Sequence, residues 1–356
     1  MSYKMQYFRP IVNNKILKLC IILLILVGTI YYWNEISSAS SSKFHVEENM
    51  ELAELYIKKH LIPDKRNLFF IETSCAINNT VTSSGMKINR RQACSIYSTA
   101  VLNPSRQIIL YHSCPLHNDF YERSTEFNKY LLDLPNFFIF HAKLEDLMKG
   151  TCVGHVFEDL QRSNFPVEHA ADITRLLMVY KYGGAYLDLD FVSIKPFVDL
   201  PKNFIVAEAN SSLSNGVFQF EAQGKGHEFV KEMLIDLAYN YNGIVWAANG
   251  PQLFMRTYRK FCNYSENVLL TPITSPCGIS VTSSKLFFPV HFSNWKWFFY
   301  PYKSETVVEL LIKDSVAVHF WNFLSKNEIV KIGEHCAYET IAAKHCKNIL
   351  MNTSTF

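Results

Sequence analysis

The chain has little excess charge of either sign. Its 35 Lys and Arg against 32 Asp and Glu leave a net charge of +3 over 356 residues. That is too small to argue for nucleic acid, and no block of Lys/Arg interleaves with aromatics downstream of the N-terminus. An internal repeat is also missing, which argues against solenoid and propeller architectures. Neither a C-x-x-C pair nor a paired H-x-x-x-H occurs, so the nine cysteines do not read as zinc ligands.

Acidic residues are absent from the first 15 positions, where Lys4, Arg9 and Lys15 stand. Charge then almost disappears: "ILKLCIILLILVGTIYYW", 16–33, carries Lys18 alone. As a helix at ~1.5 Å per residue this segment spans about 27 Å, close to the hydrocarbon thickness of a bilayer. The basic flank keeps the N-terminus cytoplasmic, and Tyr31, Tyr32 and Trp33 suit an interfacial belt. "SSASSS" offers small residues for a signal peptidase. The length of the apolar run and its bulky aromatic end favour an uncleaved, single-pass type II anchor.

The other features agree with a lumenal C-terminal portion. Cys20 lies in the anchor; Cys75, Cys94, Cys114, Cys152, Cys262, Cys277, Cys336 and Cys346 lie beyond it, an even number suited to disulfides. Cys75–Cys94 and Cys262–Cys277 close loops of modest length and are the expected bridges. Four sequons, at Asn78, Asn210, Asn263 and Asn352, sit on the same side. The organisation reads as a tail (1–15), the anchor (16–33), a Ser-rich charged stem (34–65) with a short amphipathic helix around Glu47 to His60, and one compact domain (66–356).

That domain alternates strand-like and helix-like segments. "NLFFIET", "RQIILYH" and "FFIFH" read as buried strands, and "RQACSIYSTAVL" as a helix ending before Asn103-Pro104. "EHAADITRLLMVYKYGG" places Ile173, Leu176, Leu177 and Tyr180 at i, i+3, i+4, i+7, with Gly183 or Gly184 as its stop. This is the pattern of an α/β fold with a largely parallel central sheet, whose ligands gather at the carboxyl ends of strands.

Directly after the glycines comes "AYLDLDFV". On an extended strand Asp188 and Asp190 share a face, with Cα atoms about 6.6 Å apart. Carboxylates at that spacing repel unless one is protonated or a cation lies between them. Asp172 and Arg175, three apart at the start of the preceding helix, form either a local ion pair or a polar contact for a ligand beside the D-x-D.

"ADITRLLMVYKYGGAYLDLDFV" resembles the sugar-binding D-x-D segment of family 32 glycosyltransferases. "FFIETSC", "SNGVFQFEAQGKGHEF", "YNGIVWAANGPQLFMRTYRKFC", "FFPVHFSNWKWFF" and "AVHFWN" narrow the resemblance to the α-1,4-galactosyltransferase and α-1,4-N-acetylglucosaminyltransferase group. It implies a GT-A type glycosyltransferase domain, a UDP-sugar donor, a glycolipid acceptor such as lactosylceramide, a Mn²⁺ ion, retention of anomeric configuration and residence in the Golgi membrane. Asp188 and Asp190 match the D-x-D that bridges metal, diphosphate and ribose. Asp172 and Arg175 match a donor-sugar clamp. Gly184 and Tyr186 match donor-binding positions. Asn215-Gly216 and Gly250-Pro251-Gln252 match segments that line the donor and acceptor pocket, with Asn215, Gly216 and Gly250 on the donor and Gln252 at a catalytic position. Ala171 stands where the family usually has Ser, and Leu189 where it commonly has Thr; the latter is expected to point away. The last cysteine lacks the proline that often follows it, which leaves a Cys336–Cys346 pairing open.

His319, alone in an apolar "SVAVHFWN", would ordinarily be a core residue. Two carboxylates leave a divalent ion short of ligands, neutral imidazole suits Mn²⁺, and the family's A-V-H-x-W-N matches here, so the resemblance makes His319 a third metal ligand with Trp321 and Asn322 near the diphosphate. "NWKWFFYPY", Asn294 to Tyr302, is packed core or a surface that meets acceptor sugars or membrane. Two rivals stand: a haloacid-dehalogenase-type phosphatase using Asp188, whose D-x-D-x-[TV] is present in "DLDFV", and a non-catalytic lectin-like protein.

Overall fold

A computed structural model describes residues 66–77, 88–114, 128–209, 212–265, 273–274 and 276–356. The expected tail, anchor and stem, including the amphipathic stretch from Glu47 to His60, lie outside the described residues, as do Asn78 and Asn210. Among the described residues no helix is long and apolar enough to cross a membrane.

The strands are β1 (Asn67–Glu72), β2 (Gln107–His112), β3 (Phe137–His141), β4 (Gly184–Leu187), β5 (Phe191–Ser193), β6 (Phe204–Ala209), β7 (Ser212–Phe220), β8 (Ile273–Thr274), β9 (Ser280–Thr282) and β10 (Ala317–His319). The longer helices are α1 (Arg90–Leu102), α2 (Pro166–Tyr182), α3 (Gly224–Asn240), α4 (Pro251–Phe261) and α5 (Ala337–His345). Eight strands form one sheet in the order β3-β2-β1-β4-β7-β6-β9-β8. β1 to β4 are mutually parallel, while β7 and β8 run against their neighbours. The sheet is therefore mostly parallel, as the alternating pattern requires, with antiparallel insertions that short β6–β7 and β8–β9 connections permit.

α1 starts at a reciprocal capping box between Asn89 and Gln92. α2 starts with Pro166 at its first turn and stops at Gly183, whose φ is +63°. The expected stripe is found: Ile173, Leu176 and Leu177 are fully buried in one core with Phe218, Phe229 and Phe254. Yet α2 is buried nearly all round, and Asp172, Thr174 and Arg175 are buried too. Asp172 lies in the helix's second turn rather than its first; Glu168 is the acid of the first turn.

The bridges are Cys75–Cys114, Cys94–Cys346 and Cys262–Cys277. The expected Cys75–Cys94 pair is thus wrong, for a topological reason. β1 and β2 pair in parallel register with Glu72 beside His112, so the chain leaves both strands at the same edge and brings the Cα atoms of Cys75 and Cys114 to 4.8 Å. Cys346 pairs across the molecule with Cys94 of α1, so it does not pair with Cys336; Cys152 and Cys336 carry no disulfide. Both described sequon asparagines, Asn263 and Asn352, are exposed at positive φ.

Candidate active site

The D-x-D is not on a strand. β4 ends at Leu187, and Asp188 to Asp190 form a turn, closed by the Phe191 N–H donating to the Asp188 carbonyl at 3.3 Å, before β5 begins. Leu187 and Phe191 are buried, as expected of the apolar face, but half-buried Leu189 faces a cavity instead of pointing away, because the turn ends the strand's alternation. The turn sits at the carboxyl ends of β1 and β4, where parallel sheets present ligands.

β10 runs antiparallel to β5, with His319 opposite Phe191. It forms a separate two-stranded ribbon and not a strand of the central sheet. That pairing carries His319 back to the carboxylates: Nε2 lies 3.0 Å from Asp190 Oδ1, and one ligand atom each of Asp188, Asp190 and His319 lies within 4.8 Å of the others. The imidazole is wedged among Phe191, Phe288 and Trp321. Asp190 Oδ2 accepts the backbone N–H of Asn322 at 2.8 Å. Trp321 adopts a left-handed backbone, φ +54°, and anchors its indole N–H on the Val290 carbonyl at 3.0 Å.

Arg175 binds the remaining pieces together. Its guanidinium donates to the Asn215 carbonyl at 2.7 Å, lies 3.3 Å from Asp188 Oδ1 and 3.5 Å from Asp172 Oδ1, and stacks 4.6 Å from the Tyr186 ring centroid. Tyr186 donates its hydroxyl to Asp188 Oδ1, and Asn215 Nδ2 donates to Asp172 at 2.6 Å. Asp172 and Arg175 are therefore bracing the D-x-D turn against β7. Gly216 lies so close that a β-carbon there would stand 2.7 Å from Asp188 Oδ2, and one on Gly250 would stand 3.0 Å from Asp172 Oδ1. Two expected residues fall outside this assembly. Gln252 is exposed on the first turn of α4, and Gly184 opens β4 at the far end from Asp188, packed on the Asn67 backbone.

Burial shapes the charges. It pushes the Asp172 carboxyl up to about 7 against the pull of Arg175, and raises Asp188 as well. Burial would also raise Asp190, but the ring of His319 and the Asn322 N–H hold it below the usual carboxylate range. His319 is raised, its burial outweighed by Asp190, Asp188 and Glu208. The cluster thus attracts one positive charge to the space between its donors.

Two cavities meet at this cluster. The smaller, about 330 Å³, adds Arg91 and Lys326 to Arg175 and the aspartates. The larger, about 770 Å³, takes in His319, Asn215 and Gly216 with Arg175 and the same aspartates, and carries the rings of Trp246, Phe288, Phe292 and Phe323 on its wall. Glu208, at the end of β6, lines the larger cavity; no spacing in the sequence connected it with the D-x-D. "NWKWFFYPY" divides between the two readings: Phe298 is buried, whereas Tyr300 and Tyr302 stack on each other at 5.5 Å on the surface.

The chain matches the glycosyltransferase sugar-binding region containing the DXD motif over residues 89–211 and the alpha 1,4-glycosyltransferase conserved region over residues 222–353. It is 25% identical to the lactosylceramide 4-alpha-galactosyltransferase of Mus musculus over 90% of this chain and 85% of that one. It is 25% identical to the alpha-1,4-N-acetylglucosaminyltransferase of Homo sapiens over 80% of each chain. Among solved structures, a galactosyltransferase in complex with donor and acceptor sugar analogs aligns over 79% of this chain and 96% of its own, at 10% identity and a TM-score of 0.38.

Proposed function

The chain belongs to the α-1,4-glycosyltransferase family that bears the DXD sugar-binding region, and from that premise we propose that it transfers a hexose or N-acetylhexosamine from a UDP-sugar, with retention and in α-1,4 linkage, to a glycolipid acceptor of the lactosylceramide kind. The observation that carries this reading is the convergence of Asp188, Asp190 and His319 where two cavities meet at the carboxyl edge of the sheet. The apolar 16–33 segment, the three disulfides and the exposed Asn263 and Asn352 sequons support a single-pass type II protein of the Golgi membrane with this domain lumenal. The mostly parallel sheet with the D-x-D at its carboxyl edge supports a GT-A type.

The donor set fits a divalent cation. Two carboxylates and one imidazole within 4.8 Å supply hard oxygen ligands and one nitrogen, the combination that suits Mn²⁺ or Mg²⁺ with further sites for phosphate oxygens. Such an ion, when bound, supplies Lewis acidity that offsets charge on the departing diphosphate. The chain's own part is positional. Asn322 N–H orients Asp190, and Tyr186 with Arg175 orients Asp188, so both carboxylates meet the ligand without reorganisation. Arg175, lining both cavities, adds a fixed positive charge beside the developing phosphate charge.

Of the rival readings, a phosphatase needs Asp188 free to attack phosphorus. Here Oδ1 of Asp188 already accepts from Tyr186 and faces Arg175, which lowers its nucleophilicity. The direct test is a panel of UDP-sugars against lactosyl- and mannosyl-type glycolipids, with Mn²⁺ or with EDTA. Transfer with Mn²⁺ and its loss with EDTA are expected. Phosphate release from an aspartyl-phosphate would favour the phosphatase, and glycan binding without donor turnover the lectin.

A further inference from the structure

Glu208 lines the larger cavity and takes no part in the D-x-D assembly. It is the penultimate residue of β6, it is half-buried, and among the described residues no hydrogen-bond donor reaches its side chain. Burial raises its carboxyl above the usual range, against the pull of the His319 and His291 rings. A half-buried carboxylate to which the chain gives no donor is free to accept hydrogen bonds from a ligand that brings them.

The rest of that cavity says what kind of ligand. Its mouth holds Trp246 and Phe323, with ring centroids 5.8 Å apart and 44% and 60% exposed. The loop bearing Trp246 is fixed from beneath by the His169 ring, 3.3 Å from the Trp246 carbonyl, and by the Asn249 side chain bridging to Asn242. Aromatic side chains beside hydrogen-bond acceptors match a pyranose, whose C–H face packs on aromatic rings while its hydroxyls need acceptors. Trp246, Phe288, Phe292 and Phe323 supply the first and Glu208, set apart from the D-x-D, one of the second. A nucleotide diphosphate matches the other cavity better, because Arg91 and Lys326 line that one and not this.

We propose that the larger cavity seats the acceptor glycan, with Glu208 accepting hydrogen bonds from hydroxyls of its terminal sugar and Trp246 and Phe323 carrying that sugar's apolar face. The proposal rests on the glycosyltransferase reading and adds to it the acceptor subsite and its polar anchor.

The test uses full-length protein in detergent with the variants Glu208→Gln, Glu208→Ala and Trp246→Ala. Glu208→Ala raises the acceptor KM for a β-galactoside by about tenfold or more, the scale of one lost hydrogen bond to a charged group. Glu208→Gln, which keeps the shape, falls between. UDP affinity and acceptor-free hydrolysis of the UDP-sugar stay within about twofold of wild type. Saturation-transfer NMR with the same β-galactoside reads glycan binding independently of turnover and weakens in all three variants. An unchanged acceptor KM and NMR signal in the Glu208 and Trp246 variants overturns the subsite. Loss of donor hydrolysis in step with transfer moves Glu208 to the donor side and overturns it too. Should the wild type bind the β-galactoside yet turn over no UDP-sugar at all, the transferase reading fails while the glycan subsite stands.

Discussion

A β-carbon on Gly216 would lie 2.7 Å from Oδ2 of Asp188, and the Gly216 carbonyl accepts the Asp188 N–H at 2.9 Å. β7 therefore presses its bare backbone against the first aspartate of the D-x-D. Gly216→Ala must push the carboxylate aside. Activity should drop by roughly 10–100-fold, the range for residues that orient a metal ligand, with the melting curve little changed. Wild-type kinetics in Gly216→Ala would mean that the Asp188 position does not matter to the reaction.

Asp190→Asn keeps the shape and the Asn322 contact but removes the charge. We expect transfer to fall by more than the ~10–100-fold typical of outer-shell partners, and Asp188→Asn to behave likewise. Near-normal activity of either variant in Mn²⁺ would remove these residues from the metal site.

His319→Ala should raise the Mn²⁺ concentration for half-maximal activity and weaken UDP binding. The metal-free domain should lose no more than ~1–2 kcal/mol, an ordinary core substitution. An unchanged Mn²⁺ requirement, or a variant that simply unfolds, would return this histidine to the packing of Phe191, Phe288 and Trp321.

The Cys94–Cys346 bridge closes a separation of 252 residues, against 39 for Cys75–Cys114. The chain-entropy relation gives about 5.5 and about 3.9 kcal/mol respectively. Non-reducing peptide maps should recover both pairs, and Cys94→Ala should destabilise more than Cys114→Ala. A map recovering Cys75 linked to Cys94 would contradict the topology.

His112 is fully buried at the end of β2, its ring stacked on His141 at 5.0 Å, and Nδ1 lies 2.6 Å from the Cys114 carbonyl. Burial, reinforced by His141, pushes its pKa down to about 3 from 6.5. Between those values the unfolded chain binds a proton that the folded chain does not. The contribution of His112 to stability is then full above pH 6.5 and falls as the pH drops toward 3, by up to ~1.4 kcal/mol per pH unit. Asp172, raised to about 7, gains stability over the same range as the pH falls, so the test is a difference. In urea melts at pH 7 and pH 5, the change from pH 7 to pH 5 should be less favourable in wild type than in His112→Asn. Equal pH slopes in the two proteins would assign the acid sensitivity elsewhere.

The sequence by itself determined the strands β1, β2 and β3, the α2 stripe of Ile173, Leu176 and Leu177, and the carboxylate pair Asp188 and Asp190. These are local matters: hydrophobic period, glycine stops and paired carboxylates are written within a few residues of one another. Tertiary structure decided what lies far apart in the chain. Parallel pairing of β1 with β2 exchanged the expected Cys75–Cys94 bridge for Cys75–Cys114. The return of β10 to β5 set His319 against Asp190, and the insertion of β6 and β7 brought Glu208 and Gly216 to the same cavity. Only the folded chain states which distant groups share a volume, because register and strand order follow from the burial of whole faces and not from any one segment.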